Sequence, residues 1–127
     1  MSPDEIVRRL QPVFENRPEI VFVFLFGSAV GAMAPRDIDI AVYANVEPTE
    51  RLDWRADLHG ELCDALGTNE VDLVHLNATA NIMLLDEIVR KGRVIFERDR
   101  SERVYFVVGV WHRAIDFKEK RKLLMGL

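Results

Sequence analysis

The sequence predicts an α/β (α+β) domain: a mixed sheet of four strands, helices mainly on one face, and a long C-terminal helix. Three observations predict it. Four short β-prone segments, Ile20 to Phe26, Asp37 to Tyr43, Val71 to Leu76 and Arg93 to Glu97, are each bounded by turn formers or by helical spacing. Helical patterns separate the second segment from the third and the third from the fourth, which is the layout of a sheet with crossovers. A final stretch from Ser101 to about Leu124 is periodic throughout.

The elements follow in order. Ser2, Pro3 and Glu5 make a capping box with proline at the first helical position, and Ile6, Val7, Leu10, Val13 and Phe14 follow at helical spacing. Pro12 should kink or end this helix near Phe14. The loop between the first two strands, Ser28 to Arg36, is too short for a crossover helix, so those strands are expected to be antiparallel. From Pro48 to Leu66, the residues Leu52, Ala56, His59, Cys63 and Leu66 fall on one stripe, and Gly67 is placed to end the helix. Asn77 is a candidate cap for a third helix, Ala78 to Lys91, closing at Gly92, and Ser101 a candidate cap for the last.

Size and composition bound the class. The 127 residues suit a single domain spanning 1–127, with a core of about 3–97 and a terminal interaction helix of about 101–124. With 49% apolar and 30% charged residues the chain is of ordinary globular composition, and its net charge of −4 argues against direct nucleic-acid binding. The lone Cys63 excludes an internal disulfide, and neither a signal-peptide layout nor a membrane span is present, so a cytoplasmic protein is expected.

The chemistry concentrates in one stretch. The apolar run Ile20–Phe26 ends at Gly27-Ser28, a tight turn whose backbone N–H groups can face an anion. In the next strand Asp37 and Asp39 stand at i and i+2, so both carboxylates leave one face while Ile38 and Ile40 leave the other. Like charges on one face repel, and a hard divalent cation such as Mg²⁺ would relieve them. A third acid, Asp72, lies in the next strand. Three carboxylates on adjacent strands could hold two such ions for phosphoryl or nucleotidyl transfer. Each part has a plainer alternative: alternating acids on a wet strand face, and for Ser28 a hydroxyl that satisfies its own turn.

Together, Leu25-Phe26-Gly27-Ser28, Gly31, Asp37-Ile38-Asp39-Ile40 and Val71-Asp72-Leu73-Val74 resemble the minimal nucleotidyltransferases of the DNA polymerase β superfamily, over roughly residues 6 to 97. The resemblance implies a polymerase β-like palm fold. It implies that Gly27 and Ser28 bind the nucleotide, that Asp37, Asp39 and Asp72 hold two Mg²⁺ ions, and that Asp72 helps to activate the acceptor hydroxyl. ATP would be the substrate. Many members of this size are antitoxins paired with a HEPN-type toxin, and some transfer AMP to a tyrosine of that partner. The chain departs from the family in two places: only eight residues separate Ser28 from Asp37, one fewer than usual, with Arg36 where a serine is common, and Val30 stands where an arginine is common. Two alternatives therefore accompany transfer to a toxin: neutralisation by binding alone, and a small-molecule nucleotidyltransferase.

His59 and Cys63 share a helical face but lack a third partner, so core packing is the expectation for both, and His75 and His112 carry no assigned role. The basic cluster Lys118, Lys120, Arg121 and Lys122 is expected to be a solvated helix end. The last helix carries two apolar stripes: Val104, Val107, Val108, Trp111 and Ile115, and on the other side Phe106, Val110, Phe117 and Leu124. One can serve the core. The other calls for a cover, either a partner subunit or a homodimer.

Overall fold

A computed structural model of the chain describes residues 1–27 and 37–126. Ser28, Val30, Gly31 and Arg36, all singled out above, lie outside the described residues. Helix α1 (Pro3–Glu15) is capped as expected, with the Ser2 hydroxyl accepting from the Glu5 N–H at 3.2 Å. It runs through Pro12 and ends at Glu15, one residue beyond Phe14, because less than a turn remains beyond the proline and Ile6, Leu10, Val13 and Phe14 hold that face in the core.

Strands β1 (Ile20–Phe26), β2 (Ile38–Ala44), β3 (Val71–His75) and β4 (Arg93–Glu97) form one mixed sheet in the order β3-β2-β1-β4. β1 pairs antiparallel with β2 and with β4, and β2 pairs parallel with β3 across helix α2 (Arg51–Leu66). A parallel neighbour requires such a crossover.

The helices do not gather mainly on one face; they divide two and two. Ile6, Leu10 and Phe14 of α1 and Leu58, Leu62 and Leu66 of α2 pack on Ile20, Val23, Leu25, Ile38 and Ile40. On the other face, Leu85 and Ile88 of helix α3 (Ile82–Lys91) and Val110 of helix α4 (Arg100–Leu124) cover Val21, Phe22, Phe24 and Ala41. The cause is visible in β1, which is apolar on both faces and therefore needs two covers.

Three boundaries moved for local reasons. A 3-10 turn, Pro48–Glu50, precedes α2, whose first turn overhangs the sheet end: Leu52 is 80% exposed, and the buried face begins only at Leu58. α3 starts at Ile82, where Asn81 accepts from the Leu84 N–H at 3.2 Å, because Asn77 is engaged elsewhere and Leu76–Ala78 forms a separate 3-10 turn. The cap of α4 comes two residues early, Asp99 rather than Ser101 accepting from the Glu102 N–H at 3.1 Å.

Of the stripe Phe106, Val110, Phe117 and Leu124 on α4, only Phe106 and Val110 turn inward, joined by Val107 and by Ala114, while Phe117 and Leu124 stay exposed. Val104, Val108, Trp111 and Ile115 remain on the surface, so the helix is not sandwiched within its own fold. Among the described residues no helix is long and apolar enough to cross a membrane.

Candidate active site

The sheet brings the predicted acids to one end. β1 finishes at Phe26 where β2 begins, and the register pairs Phe26 with Asp39 and Asp39 with Asp72. Residues paired across neighbouring strands leave the same face, so the two carboxylates stand side by side about 5 Å apart at the backbone. Ile38 and Ile40 point into the opposite core, as the alternation requires. Asp39 is half-buried, whereas Asp37 and Asp72 are exposed.

Burial raises the Asp39 carboxyl above its ordinary value, and the neighbouring charge of Asp72, a hydrogen bond with Asp72 and the charge of Asp37 raise it further. Ionisation of Asp39 is thus opposed by burial and by both neighbouring acids.

Gly27 closes β1 with a positive φ of 67°, a conformation in which L side chains are strained. A Cβ at this position would collide with the Asp39 carboxylate. The glycine is therefore required twice, by the turn and by the close approach of the acid. The expected nucleotide contact of Gly27 cannot be extended to Ser28, which lies outside the described residues.

Among the described residues no group of three His, Cys, Asp or Glu side chains is assembled to hold a metal ion as it stands. The donor chemistry nevertheless fits Mg²⁺: oxygen-only ligands, with Asp39 and Asp72 at paired positions on neighbouring strands and Asp37 near enough for its charge to act on Asp39.

The other candidates resolve as structural. His59 Nε2 lies 2.7 Å from the Val71 carbonyl and the Cys63 sulfur 3.8 Å from the same ring, so the pair braces the start of β3. Burial pushes the Cys63 thiol up. His75 is buried, its Nε2 3.1 Å from the Ala44 carbonyl and its ring 4.9 Å from that of Trp54. Sequence reasoning missed Asn77 in this cluster, since a residue that caps helices well also pairs well with a strand's last peptide.

The sequence profile of the family described as Polymerase beta, Nucleotidyltransferase matches residues 8–101. No curated protein matches significantly. Among solved structures, the chain is similar to a toxin–antitoxin with AMP-PNP, at 25% identity and a TM-score of 0.72, covering 99% of this chain and 97% of that one. It is similar to a tri-AMPylated Shewanella oneidensis HEPN toxin in complex with MNT antitoxin, at 25% identity and a TM-score of 0.67, covering 98% and 92%. A toxin–antitoxin MntA–HpeT mutant, at 23% identity with a TM-score of 0.72 and coverage of 99% and 97%, shares the fold. With the acids, the glycine turn and the palm-like sheet on the matched segment, the chain belongs to the polymerase β nucleotidyltransferase family.

Proposed function

We propose that the protein is a Mg²⁺-dependent antitoxin that transfers AMP from ATP to a HEPN-type toxin partner. The observation that carries this is the pairing of Asp39 with Asp72 at the strand ends, with Gly27 held against the Asp39 carboxylate. Solved relatives described as a toxin–antitoxin with AMP-PNP and as an AMPylated toxin in complex support it.

Asp37, Asp39 and Asp72 would hold Mg²⁺, which when bound neutralises the phosphates and stabilises the leaving pyrophosphate. Asp72, which is exposed, would orient the acceptor hydroxyl and take its proton. The hydroxyl oxygen bonds to the α-phosphorus, the bond from that phosphorus to the bridging oxygen breaks, and pyrophosphate departs with its electron pair. Gly27 leaves room for the acid that the transfer needs.

The surface stripe of α4 favours a second role beside this one. Val104, Val108, Trp111 and Ile115 recur at spacings of four, three and four residues, the pattern of a helix–helix seam. A helical partner docked there would be masked even without transfer.

Incubating the protein with α-labelled ATP, Mg²⁺ and a HEPN-type toxin partner separates the two. Label should appear on the toxin and fall by on the order of 10³-fold in the Asp37→Ala/Asp39→Ala variant. Absence of label with the unaltered protein, combined with neutralisation that survives the substitutions, would leave the mask as the function.

A further inference from the structure

A recess of about 660 Å³ opens at the other end of β3, between the start of α2 and the segment leading into α3. Leu52, Val74 and Leu84 form apolar walls, while Arg51, Arg55 and Thr79 supply polar groups, and no carboxylate lines it. It is separate from the acids. His75, in its floor, stands three residues along β3 from Asp72, roughly 10 Å away, and its side chain leaves the opposite face.

The two arginines are placed against their own electrostatic interest. Arg51 and Arg55 are one turn apart on α2, where like charges disfavour the helix, and both lie near its N-terminal end, where the backbone dipole disfavours cations. Neither forms an ion pair among the described residues; Arg51 donates only its Nε–H, to the Val46 carbonyl at 3.3 Å. Arg17, by contrast, meets Glu19, Asp57 and Glu61, although Arg98, Arg100, Arg113 and Arg121 form no ion pair among the described residues either. Both guanidiniums also lie close enough to His75 to oppose its protonation.

Two unpaired cations over one recess call for two negative charges on one group. A carboxylate would leave one guanidinium uncompensated, whereas a phosphomonoester carries close to two charges near neutral pH and accepts from both planar forks. The apolar walls ask for a body as well as a head, and the volume falls in the range of small-molecule sites. We propose that this recess binds a phosphomonoester of mononucleotide size, its phosphate between Arg51 and Arg55 and its base or other apolar body against Leu52, Val74 and Leu84. Binding there needs no metal, because no acid lines the recess.

The test uses the whole protein in EDTA, which removes the cation that the acid site depends on. The ¹⁵N spectrum is followed while 5′-AMP, adenosine or inorganic phosphate is added. AMP should give saturable shifts at the amides of Arg55, His75 and Thr79 and at the Arg51 and Arg55 side chains, with affinity roughly tenfold above that of inorganic phosphate. Adenosine should give none. Arg51→Gln/Arg55→Gln should lose at least tenfold in affinity, with an unchanged amide spectrum in the core confirming its fold, and Asp37→Ala/Asp39→Ala should bind as the unaltered protein does. Shifts confined to Gly27, Asp39 and Asp72, equal binding of adenosine, undiminished binding by the Arg51→Gln/Arg55→Gln variant, or no shifts at all would each overturn the proposal.

Discussion

At the C-terminal end of β2 the Ala44 N–H donates to Asn77 Oδ1 at 3.1 Å, and the Ala44 carbonyl accepts from Asn77 Nδ2 at 2.9 Å and from His75 Nε2 at 3.1 Å. At the N-terminal end of the same strand, Asp39 is surrounded by groups that oppose its ionisation, burial first and then the carboxylates of Asp72 and Asp37. Nearby, Glu19 completes the satisfied end, accepting from the Trp54 indole N–H at 2.7 Å and from Arg17 at 3.4 Å. One end has a donor for each acceptor; at the other, burial and the charges of Asp72 and Asp37 all oppose the ionisation of Asp39. Mutually opposing carboxylates are where the proposed cation would act.

The largest effect follows from spoiling the acidic end by bulk rather than charge. Gly27→Ala would place a methyl group in the Asp39 carboxylate and hold a non-glycine residue at a φ of 67°. Displacing Asp39 by about 1 Å should lower AMP transfer by on the order of 100-fold. Stability should fall by only about 1–2 kcal/mol, the strain of a left-handed residue. Transfer assays beside urea unfolding would show the two losses as disproportionate. Proportionate losses would mean that Gly27 serves the turn alone.

The matched end should respond in the opposite proportion. Asn77→Ala removes both hydrogen bonds to the Ala44 peptide, and each contributes about 0.5–1.5 kcal/mol net. The expected loss is about 1–3 kcal/mol by urea unfolding, with AMP transfer by the folded fraction changed less than about twofold, since the acids lie at the far end of the strand. If transfer collapsed while stability held, the two ends would be coupled and the contrast between them would fail.

How far this contrast was legible in the sequence depended on whether a signal was local. β1 could be read to its last residue because an apolar run ends at a glycine, and the shared face of Asp37 and Asp39 follows from strand alternation. That Asp72 lies in a strand next to the other acids could be read, but its register opposite Asp39 could not, since register across a parallel crossover depends on how α2 packs, which no short window encodes. Asn77 and Asn81 are equally good caps by type; the open peptide at Ala44 claimed the first and left the second to start α3. Leu52 fits the helical spacing of its neighbours, yet the sheet ends beneath it. Apolar residues on both faces of β1 did announce two helical layers, a local signal that the expectation of one covered face passed over.

The smallest effect isolates the repulsion itself. Because the Asp39 carboxyl is raised in the folded state, the fold binds its proton more tightly than the unfolded chain does. The corresponding stability is fully present below the unfolded value of about 3.9 and is lost as pH rises through the folded one. At pH 7 without metal, ionised Asp39 therefore weakens the fold, and Asp39→Asn, whose amide can still donate to Asp72, should be the more stable protein. Solvent screens a half-exposed group, so the gain should stay below about 1 kcal/mol, and it should vanish below about pH 4. Adding Mg²⁺ should reverse the order, because a ligand that binds only the folded carboxylates stabilises the unaltered protein and not the variant. Urea unfolding at pH 4 and 7, with EDTA and with Mg²⁺, reads all of this. A variant less stable at pH 7 in EDTA would show that Asp39 is held by attraction, and the distinction between the two ends of β2 would have to be abandoned.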